Sequence, residues 1–158
     1  MADGSVLIVG VGNELRADDG AGIEAARRLQ ERELPPGVCV TEQQGEPLAL
    51  LDTWAEADAV VLIDTMRSGA PPGTIRRFDI SRQALPRGVG GSTSTHALML
   101  QDVLELGREL GRLPAQVIVL GVEGRTFHAG QGLSNELRAQ TDVLADLALG
   151  EAIKLAPA

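Results

Sequence analysis

Apolar and polar positions fall in short blocks along this chain, and the blocks predict its elements. Residues 6–11 are a continuous apolar, largely β-branched run, which reads as a buried strand. Gly10, Gly12 and Asn13 break it, and these residue types tolerate the positive φ of a tight turn. Ile23, Ala26 and Leu29 then recur at helical spacing, with Glu24, Arg27, Arg28, Glu31 and Arg32 mostly on the other face. Pro35, Pro36 and Gly37 stop that helix. A short second strand is expected over 38–41, then a loop over 43–46. Pro47 suits the first turn of a helix reaching about Trp54, with Leu48, Leu50, Leu51 and Trp54 as its apolar side.

Residues 59–64 form the clearest strand, an apolar run ending on Asp64; such a run implies burial on both faces and a central, parallel position. Residues 74–80 alternate apolar and polar, as a half-exposed edge strand does. The short link before them implies an antiparallel neighbour. A loop rich in Gly, Ser and Thr leads to His96 and a well-buried helix over 95–110, closed by Gly111 and Pro114. Residues 117–122 are another buried strand, followed by a Gly-rich loop over 124–132. The last helix should start near Ser134 and stop about Gly150, leaving 151–158 loosely held.

The order β-α-β-α-β-β-α-β-α predicts one α/β domain over 1–158. It is a three-layer α/β/α sandwich on a mostly parallel five-stranded sheet with one antiparallel edge strand. If the strand order is flavodoxin-like, strands one and three are neighbours, and Asp19 and Asp64 reach the same carboxyl edge.

Composition narrows the function. Aromatics make up 2% of 158 residues, so Ala, Leu and Val must fill the core, which suits helices packed on a sheet. A net charge of −8 with no basic stripe argues against nucleic-acid binding. No apolar run is long enough to span a bilayer, and residues 1–5 lack the pattern of a signal peptide. A cytoplasmic location is expected, and a lone cysteine, Cys39, agrees with it. Cys39 sits between two valines and reads as a small buried hydrophobe. With no long apolar surface stripe unassigned, a monomer is expected.

The candidate chemistry lies at the carboxyl edge. Gly10 and Gly12 begin a dinucleotide fingerprint, but Leu15 stands where a third glycine or alanine is needed. Asp18 reads as a helix cap or first-turn acid. Asp19, Asp64 and His96 offer two carboxylates and an imidazole, a plausible three-ligand set for a divalent transition metal with positions left open. Taken singly, a carboxylate at a strand end or a histidine at a helix start is more often structural. His128 is a competing histidine in surroundings that suggest exposure, and Glu123 could orient a ligand from behind. No Ser-His-Asp arrangement or HExxH helix is visible.

Four segments carry a family resemblance: Gly10-Val-Gly-Asn-Glu-Leu-Arg-Ala-Asp-Asp-Gly-Ala-Gly22, Leu62-Ile-Asp64, Ser94-Thr-His96 and Gly121-Val-Glu-Gly124. Together they closely resemble the hydrogenase maturation endopeptidases, over nearly the whole chain and in element order. The resemblance implies a protease that trims the C-terminal extension from the large-subunit precursor of nickel–iron hydrogenases after nickel insertion. It implies that Asp19, Asp64 and His96 engage nickel, supplied by the substrate. Where the family often has glutamate, this chain has the shorter Asp19, and the 43–46 loop departs from the Gly-Thr pattern of some members. Whether a carboxylate or the metal activates water stays open.

Overall fold

The computed structural model describes residues 5–81, 83–86 and 100–156. Five strands carry the fold: β1 (Val6–Gly12), β2 (Val38–Gln44), β3 (Ala59–Met66), β4 (Ile75–Asp79) and β5 (Gln116–Glu123). The helices are α1 (Ala21–Gln30), α2 (Leu50–Thr53), α3 (Leu100–Glu109) and α4 (Asn135–Leu155). Short 3-10 turns, Ala17–Gly20 and Pro47–Ala49, lead into α1 and α2.

The sheet order is β2-β1-β3-β5-β4, parallel throughout except where β4 meets β5. Strands β1 and β3 are neighbours, with Gly10 opposite Ile63. The edge strand β4 is antiparallel, and its neighbour is β5, which slots between it and β3. The 71–74 turn crosses the end of β5, where Gly73 N–H donates to Glu123 O and Glu123 N–H donates to Thr74 O, both at 2.8 Å.

Alternation along the strands divides the core into two layers. Leu7, Val9, Val60, Leu62, Val117 and Val119 pack with Leu50, Trp54, Val103 and Leu104 on one side. Val6, Ile8, Val61, Ile63, Ile118 and Leu120 pack with Ala25, Leu29, Leu137 and Leu144 on the other. Each fully buried Leu or Ile contributes roughly 2 kcal/mol, so the continuous apolar runs specify a sheet covered on both faces. The buried Trp54 keeps its indole N–H paired, donating to Arg112 O at 2.7 Å.

Several expectations are corrected. Strand β2 runs on to Gln44, so Gln43 and Gln44 belong to a strand. Strand β3 continues two residues past Asp64, to Met66, and every residue of it is buried. The final helix does not stop at Gly150 but runs to Leu155. Ala152 is fully buried, and Glu151 accepts from Arg77 Nε of β4 at 2.7 Å, which ties this turn to the sheet edge. Cys39 is exposed, because it lies on an edge strand whose alternate positions turn outward. The helix expected over 47–54 is a 3-10 turn plus the four-residue α2. The start of the helix expected from residue 95 lies outside the described residues. Leu110, past α3, is exposed, so the buried face is narrower than its leucines suggest. Among the described residues no helix is long and apolar enough to cross a membrane.

Candidate active site at the carboxyl edge

Two glycines bring the first acid to the second. Gly22, in the first turn of α1, lies directly on the strands: a Cβ there would sit 2.2 Å from Ile63 O and 2.7 Å from Val11 O. Only a residue without a side chain lets α1 start this close to β1 and β3. Gly12 ends β1 with φ of 149°, and a Cβ on it would meet Asp19 O at 2.0 Å. That carbonyl accepts Asn13 N–H at 3.1 Å. The outcome is Asp19 folded back over the end of β1, beside Asp64 near the end of β3. Gly22→Ala must displace strand backbone, so it is expected to destabilise by about 3 kcal/mol and to lower the thermal midpoint accordingly.

Both carboxyl groups are perturbed, and the Asp19 charge acts on Asp64. Asp64 is 4% exposed, and its Oδ1 accepts its neighbour's N–H, from Thr65, at 2.7 Å. Burial, and then the nearby Asp19 charge, push its carboxyl well above the ordinary value; the Thr65 N–H opposes them. Burial raises Asp19 from 3.8 to about 6, against the Asn13 N–H and the Arg16 charge. A carboxyl pair lifted in this way holds its protons more tightly than ordinary aspartates and would be ionised by an added cation.

Asp18 does the opposite work. It is fully buried, and its carboxylate accepts four hydrogen bonds: Arg125 N–H (2.7 Å), Thr126 N–H (3.1 Å), Ser134 N–H (2.7 Å) and Ser134 Oγ–H (2.8 Å). Its backbone N–H donates to Thr126 O, and its carbonyl accepts from Thr65 Oγ1. The structural role expected of Asp18 is present, but the partners differ. It latches the loop after β5 and the start of α4, while the cap position of α1 is Gly20, with no side-chain cap bond.

Glu123, 2% exposed at the end of β5, also latches a loop. It accepts Ser68 N–H, Ser68 Oγ–H and Ala70 N–H, fixing the segment after β3. There Arg67 lies 4.7 Å over the Phe127 ring. His128 is exposed, its Nδ1 3.0 Å from Ala129 O. Of the predicted trio, Asp19 and Asp64 meet at one edge, and His96 lies outside the described residues. Among the described residues no group of three or more His, Cys, Asp or Glu is arranged to hold a metal.

Residues 23–151 match the model of the hydrogenase maturation protease family. The chain belongs to that family. The match holds Asp64 and His96 and begins just past Asp19. A hydrogenase expression/formation protein, HoxM of Cupriavidus necator, is 33% identical over 120 residues, 75% of this chain; the chain spans just over half, 58%, of that relative. A putative hydrogenase maturation protease of Methanocaldococcus jannaschii is 30% identical over 151 residues, covering 92% of this chain and 95% of that one. Among solved structures, the hydrogenase maturation protease HybD of Thermococcus kodakarensis is 31% identical with a TM-score of 0.69, covering 97% and 99% of the two chains. The paired carboxyls thus stand at the sheet edge of a protease-family fold.

Proposed function

We propose that this protein is an endopeptidase that removes the C-terminal extension of a nickel–iron hydrogenase large-subunit precursor once nickel is in place. The observation that carries the reading is the Asp19–Asp64 pair: two neighbouring carboxyls, one from the 3-10 turn after β1 and one from β3, both raised by burial, one by the other's charge. Asp19, Asp64 and His96 are the residues proposed to engage the nickel. Two oxygen donors and an imidazole suit a divalent ion of that kind, and a cation would relieve the repulsion between the two carboxylates. The nickel, brought by the substrate, supplies positive charge and a point of registration for the precursor chain.

The chain's own residues would do the rest. Asp64, sealed by β3 and the Thr65 N–H, holds its carboxyl in one orientation. Asp19, partly open to solvent, takes a proton from the attacking water at a carboxylate oxygen. The reading includes a cytoplasmic location and a monomer, testable by fractionation and by light scattering.

The test is intact-mass measurement of a cognate nickel-loaded precursor, with and without this protein. A nickel-dependent loss of one C-terminal peptide is expected. No mass change would overturn the endopeptidase and favour a nickel-binding assembly factor without proteolysis. Cleavage at the wild-type rate in His96→Ala would remove that residue from the site.

A further inference from the structure

Ala17 is the one non-glycine residue with positive φ among the described residues, at 50°. Residues other than Gly, Asn and Asp rarely adopt this conformation, and such strain persists where surrounding structure over-determines it. Here it is pinned from both sides. Ala17 N–H donates to Gly130 O, and Gly130 N–H donates to Leu15 O, both at 2.8 Å. Arg16 N–H donates to Asn13 O, and Asp19 N–H donates to Arg16 O, both at 3.1 Å. The buried Asp18 carboxylate anchors the same turn to residues 125, 126 and 134. This strained turn sets Arg16 and Asp19 at the same end of the sheet.

Arg16 differs from the protein's other placed arginines. Arg27, Arg32, Arg77, Arg112 and Arg125 each meet a carboxylate. The Nε of Arg16 is sealed from solvent and has no hydrogen-bond partner among the described residues. Its positive charge nevertheless acts on Asp19. A buried donor left unpaired is costly and calls for an explanation. An incoming peptide cannot reach the sealed Nε, but lying across the carboxyl edge it would bring carbonyl oxygens to the terminal nitrogens of the same guanidinium, which are not sealed.

Resting on the peptidase reading, we propose that Arg16 is a substrate-binding residue: its guanidinium donates to a backbone carbonyl oxygen of the precursor, at or next to the scissile bond. A lysine would supply a point charge on a different stem, without the planar fork of donors that a guanidinium presents.

The experiment has two arms, both on the full chain and a nickel-loaded precursor. In the kinetic arm, Arg16→Ala is expected to raise KM about 10- to 100-fold, the range for one hydrogen bond to a charged group. The kcat and the thermal midpoint should change little. Millimolar guanidinium ion should restore Arg16→Ala, and Arg16→Lys should recover only a minor part. An unchanged KM beside a working wild type overturns the role of Arg16 and leaves the peptidase reading standing. A fall in thermal midpoint matching the activity loss, without guanidinium rescue, makes Arg16 structural and also overturns it. In the binding arm, Arg16→Ala is added to Asp64→Asn, and precursor affinity is measured without turnover. A 10- to 100-fold loss is again expected. If the wild type never cleaves, the peptidase reading fails, and unchanged affinity in this arm then overturns the Arg16 proposal independently.

Discussion

Asp19→Asn and Asp64→Asn are expected to abolish precursor cleavage while making the metal-free protein more stable at pH 7. The sign follows from the raised carboxyls. Well below pH 3.8 both groups are neutral in the folded and unfolded chain, and the substitutions change little. Between 3.8 and about 6 the unfolded chain releases the Asp19 proton while the folded chain keeps it, so wild-type stability falls as pH rises. Above about 6 the loss is complete, and Asn, which never ionises, avoids it. The full Asp19 shift corresponds to about 3 kcal/mol; its partial exposure reduces this to about 1–2 kcal/mol. For a domain of this size that is a rise of roughly 2–6 °C in thermal midpoint. Asp64 is more deeply buried and its shift has the same direction, so Asp64→Asn should show a pH dependence of the same sign. Cleavage should fall by about a thousandfold or more, the scale of losing a general base or an essential orienting group. Thermal melts at about pH 3 and pH 7, set beside mass-spectrometric cleavage assays, check both halves. A variant that loses stability at pH 7 would return its residue to a purely structural role.

Much of this site is legible in the amino-acid sequence, for a definite reason. In a parallel sheet the strand ends determine where loops meet, and continuous apolar runs identify the strands. Once strands one and three are neighbours, an acid after the first and an acid near the end of the third must share an edge. Asp19 and Asp64 do. What stays hidden depends on distant partners. The four hydrogen bonds to Asp18 come from residues 107 to 116 positions away, and no local pattern announces them. The insertion of β5 between β3 and β4 is likewise a choice between long-range pairings. Gly150 reads as a stop because helices commonly end on glycine, yet burial of Ala152 and the Arg77–Glu151 pair outweigh that preference. Ala17 carries no signal at all: alanine has a Cβ and no side-chain acceptor to favour a positive φ, and only the hydrogen bonds to Gly130 show why it is there.

The neighbouring acids should therefore answer substitution in opposite ways, and Asp18→Ala gives the larger structural effect. It removes the acceptor of four hydrogen bonds and leaves the N–H groups of Arg125, Thr126 and Ser134 without a partner. Hydrogen bonds to a charged group contribute about 1.5–3 kcal/mol each but are not additive. The expected total is about 4 kcal/mol, a large part of the 5–15 kcal/mol that holds a typical domain together. Unlike Asp19→Asn, this loss should appear at pH 7 as a lower thermal midpoint. The consequence then travels along the chain. Residues 125–134 hold the left-handed Ala17 through Gly130, and Ala17 stands between Arg16 and Asp19. Releasing that loop lets the turn relax to an ordinary conformation and carries Asp19 away from Asp64. Cleavage should therefore fall even at temperatures where Asp18→Ala remains folded, and hydrogen exchange should rise first at the amides of residues 17 and 130. Full activity in a folded Asp18→Ala protein would show that the latch serves stability alone and that Asp19 holds its position without it.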